Sequence, residues 1–129
     1  MTIFLPGSAA LAARLNQTKP TVVLCFCAAW CDTCKEYQPK FESLSAQHPD
    51  ATFVWIDIED HPLLLGDEDV ENFPTVAIMQ GHDVRFMGTI LPHIGHLDRL
   101  IQAMQAPGKT QDTELPENLL EMLQSVSIS

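Results

Sequence analysis

Basic residues are scarce in this chain. Its 129 residues hold seven Lys and Arg against 17 Asp and Glu, a formal net charge of −10. That balance disfavours nucleic-acid binding, which needs a cationic face to displace phosphate counterions. The acidic surface serves solubility first, and steering of a basic partner second. No apolar run approaches the roughly 20 residues of a membrane span. The opening residues, Met1-Thr2-Ile3-Phe4-Leu5-Pro6-Gly7, lack the basic start of a secretory signal. The sequence therefore reads as soluble and cytoplasmic, or periplasmic if a leader has been removed. Cysteine is also sparse, and all four lie within ten residues, as Cys25, Cys27, Cys31 and Cys34. A disulfide scaffold would spread its cysteines to staple distant segments. This cluster points to local chemistry.

The hydrophobic content of 46% excludes disorder, and the length suits one compact domain able to fold without staples. Ser8 can cap a helix over roughly 9–16, which Lys19-Pro20 ends. Thr21 to Cys27 is a continuous β-favouring apolar run, as expected of a central strand covered on both faces. A helical pattern follows Cys31 to about Gln47, with Tyr37, Phe41 and Leu44 on one face and Pro39 expected to kink it. Thr52 to Ile58 reads as a second strand, with Phe53 and Trp55 facing one way. Residues 62–71 suggest a short helix. Phe73 to Met79 and Val84 to Gly88 form a hairpin around Gln80-Gly81-His82-Asp83. A last helix of the domain starts near His93 and carries Leu97, Leu100, Ile101 and Met104. The order αβαβαββα predicts an α/β fold, a central mixed sheet with helices on both faces. Residues 1–106 make this domain. Residues 107–129 add a polar linker and a C-terminal amphipathic helix opened by Pro116, with Leu119, Leu120, Leu123 and Val126 on one side.

Cys31-Asp32-Thr33-Cys34 carries the chemistry. A Cys-x-x-Cys pair alone fits half a zinc site, a redox pair or neither. Here Cys31 follows an apolar strand and a small-residue turn, and opens a helix. First-turn amides and the helix dipole stabilise a thiolate at such a place, which makes it a nucleophile. Cys34, one turn on, can attack the mixed disulfide formed by Cys31 and release the product. Cys25 and Cys27, two apart in a strand, cannot bridge one another and are expected to pack in the core. A four-cysteine metal or iron–sulfur site would require a rigid strand to converge with the motif. His93 and His96 lack a third ligand, and Asp67-Glu68-Asp69 with Glu71 lacks the spacing of a calcium loop. No metal and no cofactor are expected.

Ala28-Ala29-Trp30-Cys31-x-x-Cys34-Lys35, Pro39 eight residues beyond Cys31, and Phe73-Pro74-Thr75 together resemble the thioredoxin superfamily over roughly residues 9–105. The resemblance implies a thioredoxin-like fold and catalytic Cys31 and Cys34. Trp30, Asp32, Thr33 and Lys35 would tune the motif. Phe73, Pro74 and Thr75 would bind an extended substrate peptide beside a cis-proline at Pro74. Gly88 matches a family glycine in the loop after the last strand. The implied partners are protein disulfides and a thioredoxin-reductase-type electron donor. Three departures stand out. Asp32-Thr33 replaces Gly-Pro, and an anionic Asp32 beside Cys31 should favour reducing behaviour, opposed by Lys35. Cys25 and Trp55 stand where the family has a buried acid and its lysine. Val70-Glu71-Asn72-Phe73 makes the approach to Pro74 more acidic and aromatic. Two functions follow: a protein-disulfide reductase, or a binding or chaperone module with little redox turnover.

Overall fold

The computed structural model describes residues 3–4, 21–28, 31–48, 51–60, 75–80, 83–89 and 94–104. They form β1 (Thr21–Cys27), α1 (Asp32–Ser45), β2 (Ala51–Asp57), β3 (Thr75–Gln80), β4 (Asp83–Thr89) and α2 (Ile94–Met104). The sheet order is β2-β1-β3-β4. β1 pairs parallel with β2, which needs a crossover, and α1 supplies it. β1–β3 and β3–β4 are antiparallel. The mixed sheet expected from the strand and helix order is present, and the fold is thioredoxin-like.

Strand side chains alternate between faces. Val23, Cys25 and Cys27 of β1 lie on one face with Phe53 and Trp55 of β2, Val76 and Ile78 of β3, and Leu97 and Ile101 of α2. Cys34, Tyr37, Phe41 and Leu44 of α1 close over that face at helical spacing. Phe41 is its centre, with ring centroids 5.0 Å from Phe53, 5.7 Å from Trp55 and 6.3 Å from Tyr37. Val22, Leu24, Phe26, Val54, Ile56, Ala77, Met79 and Val84 fill the opposite face. Both described helices pack on the cysteine face. The segments expected to contribute further helices, 9–16, 62–71 and 116 onward, lie outside the described residues.

Element ends differ from expectation by one or two residues. α1 runs unbroken through Pro39, although that proline has no amide to give the Lys35 carbonyl. It stops at Ser45, and Gln47 N–H turns back to the Leu44 carbonyl at 2.9 Å in a tighter last turn. β3 reaches Gln80 and β4 begins at Asp83, with a register shift between Ile78 and Met79. Gly88 sits inside β4 opposite Val76 rather than in a loop beyond it, and a Cβ there would meet the Phe86 ring at 3.4 Å. One pairing had no signal in the residue pattern. Phe4 bridges to Val54, donating to the Phe53 carbonyl at 2.8 Å and accepting from Trp55 N–H at 3.0 Å.

The end of α1 is tied to α2 by His48, whose Nε2 lies 2.6 Å from Asp98 Oδ1. The His48 ring also stacks on Phe53 at 6.2 Å. The hydrogen bond from His48, aided by one from Gln102, holds the Asp98 carboxyl below its ordinary range. A carboxylate with a lowered folded pKa stabilises the fold above its unfolded value of about 4 and loses that contribution as pH falls through the folded value. Asp98→Asn should therefore lose roughly 1 kcal/mol at pH 7, and the difference from wild type should vanish in strong acid. Urea unfolding at pH 7 and pH 3 checks this. Equal stabilities at pH 7 would show the contact to be idle.

Candidate functional site

Cys31 is the N-cap of α1, with an extended backbone at φ −87° and ψ 113° and no side-chain capping bond. Its N–H donates to the Ala28 carbonyl at 3.0 Å, and its own carbonyl accepts from Lys35 N–H at 3.2 Å. The cysteine is thus held at the junction of turn and helix, with a free, half-buried thiol. Cys34 is one turn further on and almost fully buried, at 1% exposure. Its side chain leans towards the sheet, because that side of α1 covers the odd-numbered residues of β1.

Cys34 is disulfide-bonded to Cys27, with the two Cα atoms 5.9 Å apart. The expected roles had set Cys27 aside as core packing and paired Cys34 with Cys31. Cys27 is indeed buried in the core, but it also meets the helix cysteine. The reason is strand parity: β1 ends under the first turn of α1, so its last inward residue lies below Cys34. Cys25, the inward residue before it, is free and fully buried, its sulfur 3.8 Å from that of Cys27. Burial pushes the Cys25 thiol far above its ordinary value. Burial, and then the proximity of Cys25, push the Tyr37 phenol up as well. Cys25 therefore stays a neutral thiol.

The flanking residues divide cleanly. Asp32 and Lys35 are largely exposed and form a loose surface pair at 3.9 Å, so solvent screens the effect of Asp32 on Cys31. Thr33 is half-buried, and Thr75 is buried at the start of β3. Trp30, Phe73 and Pro74 lie outside the described residues. A pocket of about 260 Å³ opens against Cys34, lined by Ala28, Lys35, Gln38, Trp55 and Asp57. Asp57 is the register partner of Cys27, and residue patterning did not bring it to the site.

A family model described as thioredoxin matches residues 6–104. The chain belongs to the thioredoxin family. Thioredoxin H5 of Oryza sativa subsp. japonica is 40% identical over 63 residues, covering 49% of this chain and 47% of the rice protein. Thioredoxin of Mycoplasma genitalium is 31% identical over 67 residues, covering 52% of this chain and 66% of that protein. The matched stretch thus spans about half to two thirds of these curated relatives. The Fasciola hepatica thioredoxin structure superposes with a TM-score of 0.68 at 22% identity, covering 79% of this chain and 99% of that one, a likeness of fold. Cys25 and Trp55, the two positions that the sequence resemblance matches to a buried acid and its lysine, are direct register partners on adjacent strands. Neither side chain brings a charge to this pairing, so neither needs a counter-charge.

Proposed function

We propose that the chain is a thiol–disulfide oxidoreductase that reduces disulfides of other proteins, with Cys31 attacking and Cys34 resolving. The observation that carries this is accessibility. Of the four cysteines, Cys31 alone is partly exposed, at the start of a helix, while Cys25, Cys27 and Cys34 are at most 1% exposed. Cys31 thiolate attacks a substrate disulfide, forms a mixed disulfide and expels one substrate thiolate. Cys34 thiolate then attacks Cys31 Sγ, the mixed disulfide breaks, and the second substrate thiolate leaves. An external dithiol, supplied by a thioredoxin-reductase-type donor, restores both thiols. On the family resemblance, Asp32, Thr33, Lys35 and Trp30 would tune the attack, and Phe73, Pro74 and Thr75 would bind the substrate strand. A reducing compartment such as the cytoplasm suits this direction.

The bond between Cys34 and Cys27 favours a second reading in that redox state: a covalent or peptide-binding module without turnover. Dithiothreitol-driven reduction of insulin separates the two. The reductase accelerates it, and Cys31→Ser returns the rate to that of dithiothreitol alone. A wild-type chain no faster than dithiothreitol alone would leave the binding module.

A further inference from the structure

Cys27, Cys31 and Cys34 fall at the junction of β1 and the first turn of α1, and the reductase mechanism uses two of them. We propose that Cys27 is a second resolving thiol, which takes Cys34 from Cys31 and so leaves an oxidised protein whose Cys31 is a free nucleophile. The geometry is already in place. The Cα atoms of Cys27 and Cys34 are 5.9 Å apart, inside the span of about 4.4–6.8 Å that a disulfide needs without backbone movement. Cys27 is the last residue of β1, fixed by the Ile58 N–H bond to its carbonyl at 2.9 Å. Cys34 is fixed in the first turn of α1, seven residues beyond Cys27. Both cysteines stand in regular secondary structure, and their Cα separation already suits the bond between them.

The step rests on the exchange chemistry proposed above and balances without a further oxidant. The Cys27 thiolate attacks Cys34 Sγ within the Cys31–Cys34 disulfide. The Cys27–Cys34 bond forms, the Cys31–Cys34 bond breaks, and the electron pair leaves on Cys31 Sγ. The proton lost from Cys27 returns to solvent or to Cys31. One disulfide is exchanged for another at the same oxidation level. The product differs in reactivity, because Cys31 is now the accessible thiol with no resolving neighbour. It can attack a second disulfide, such as glutathione disulfide, and keep one half as a stable mixed disulfide while the other half leaves as a thiolate. Cys25 does not compete for Cys27: the two are adjacent inward positions of one strand, a poor geometry for bridging.

The sequence allows a direct map of this exchange. Cleavage after Phe26, Trp30 and Tyr37 separates Cys25, Cys27 and the Cys31–Cys34 segment into different fragments. The full chain is reduced, treated with excess glutathione disulfide, quenched in acid, alkylated and mapped by mass spectrometry. The expected result is fragment 27–30 linked to fragment 31–37 through Cys34, with glutathione on Cys31. Cys27→Val, which keeps an apolar side chain in the core, should instead carry an internal Cys31–Cys34 bond and no retained glutathione. Wild type showing the internal Cys31–Cys34 bond with Cys27 alkylated would overturn the proposal, and so would a Cys25–Cys27 bond. The wild-type map depends on no variant folding. It is also independent of insulin turnover, so a failed reductase reading and a failed exchange are told apart.

Discussion

Cys25→Asp is expected to destabilise the chain by about 3–5 kcal/mol at neutral pH, the cost of a buried charge with no partner. Cys25 has no exposed surface and lies against Cys27, Trp55 and Tyr37 in the helix-covered face of the sheet. An aspartate there would be forced to stay protonated, its folded pKa raised by burial. A raised carboxyl pKa makes stability fall as pH climbs above the unfolded value of about 3.9, by up to 1.4 kcal/mol for each pH unit, until the folded value is passed. Urea midpoints between pH 4 and pH 8 would trace that decline. Trp55→Lys places an ammonium on the register partner, so Cys25→Asp with Trp55→Lys should be more stable than the two single losses added together. A flat pH profile for Cys25→Asp, or strict additivity in the cycle, would show that the pair of positions is not electrically coupled. The double substitution thus measures whether two opposite charges at these register partners cost less together than apart.

Phe41→Ala should cost about 3–5 kcal/mol, the range for removing a large buried aromatic side chain. Phe41 is fully buried and stands between Tyr37 on its own helix and Phe53 and Trp55 on β2. Its removal opens a void where helix and sheet meet, and none of its ring neighbours is small enough to collapse into it. Against a total stability of about 5–15 kcal/mol for a domain of this kind, that loss is a large share of the whole and should lower the melting temperature by many degrees. Phe41→Leu, which keeps much of the volume, should recover over half of the loss. Thermal melts of the two variants decide the matter. A loss below about 1 kcal/mol for Phe41→Ala would mean that α1 is held to the sheet by something else.

Much of this architecture could be read from residue order. The β1 run was legible because a strand buried on both faces needs an unbroken apolar stretch, and Val22 to Cys27 is one. Tyr37, Phe41 and Leu44 announced a helix face, and alternation placed Phe53 and Trp55 together. The exposed end of the site, Cys31 at a strand–helix junction, was equally plain. Three features were not legible, for separate physical reasons. The Cys27–Cys34 bond depends on which face of β1 the helix covers, and local propensity carries no record of that choice. Strand parity does put Cys25 and Cys27 on one side, which was the available clue. The His48–Asp98 contact joins residues 50 apart and leaves no periodic trace. Phe4 pairs with the sheet through main-chain atoms, which any residue possesses.

The bond between Cys27 and Cys34 closes a ring of only a few residues, since its ends are seven apart in the chain. In polymer terms a small ring removes little freedom from the unfolded chain, about 2.5 kcal/mol on a chain-entropy account, against nearly 5 for a loop of 100 residues. The covalent link therefore adds less than a disulfide between distant segments would, and the packed sheet and its aromatic cover do not depend on it for their contacts. Electrons can enter and leave this cluster while the scaffold around it stays assembled.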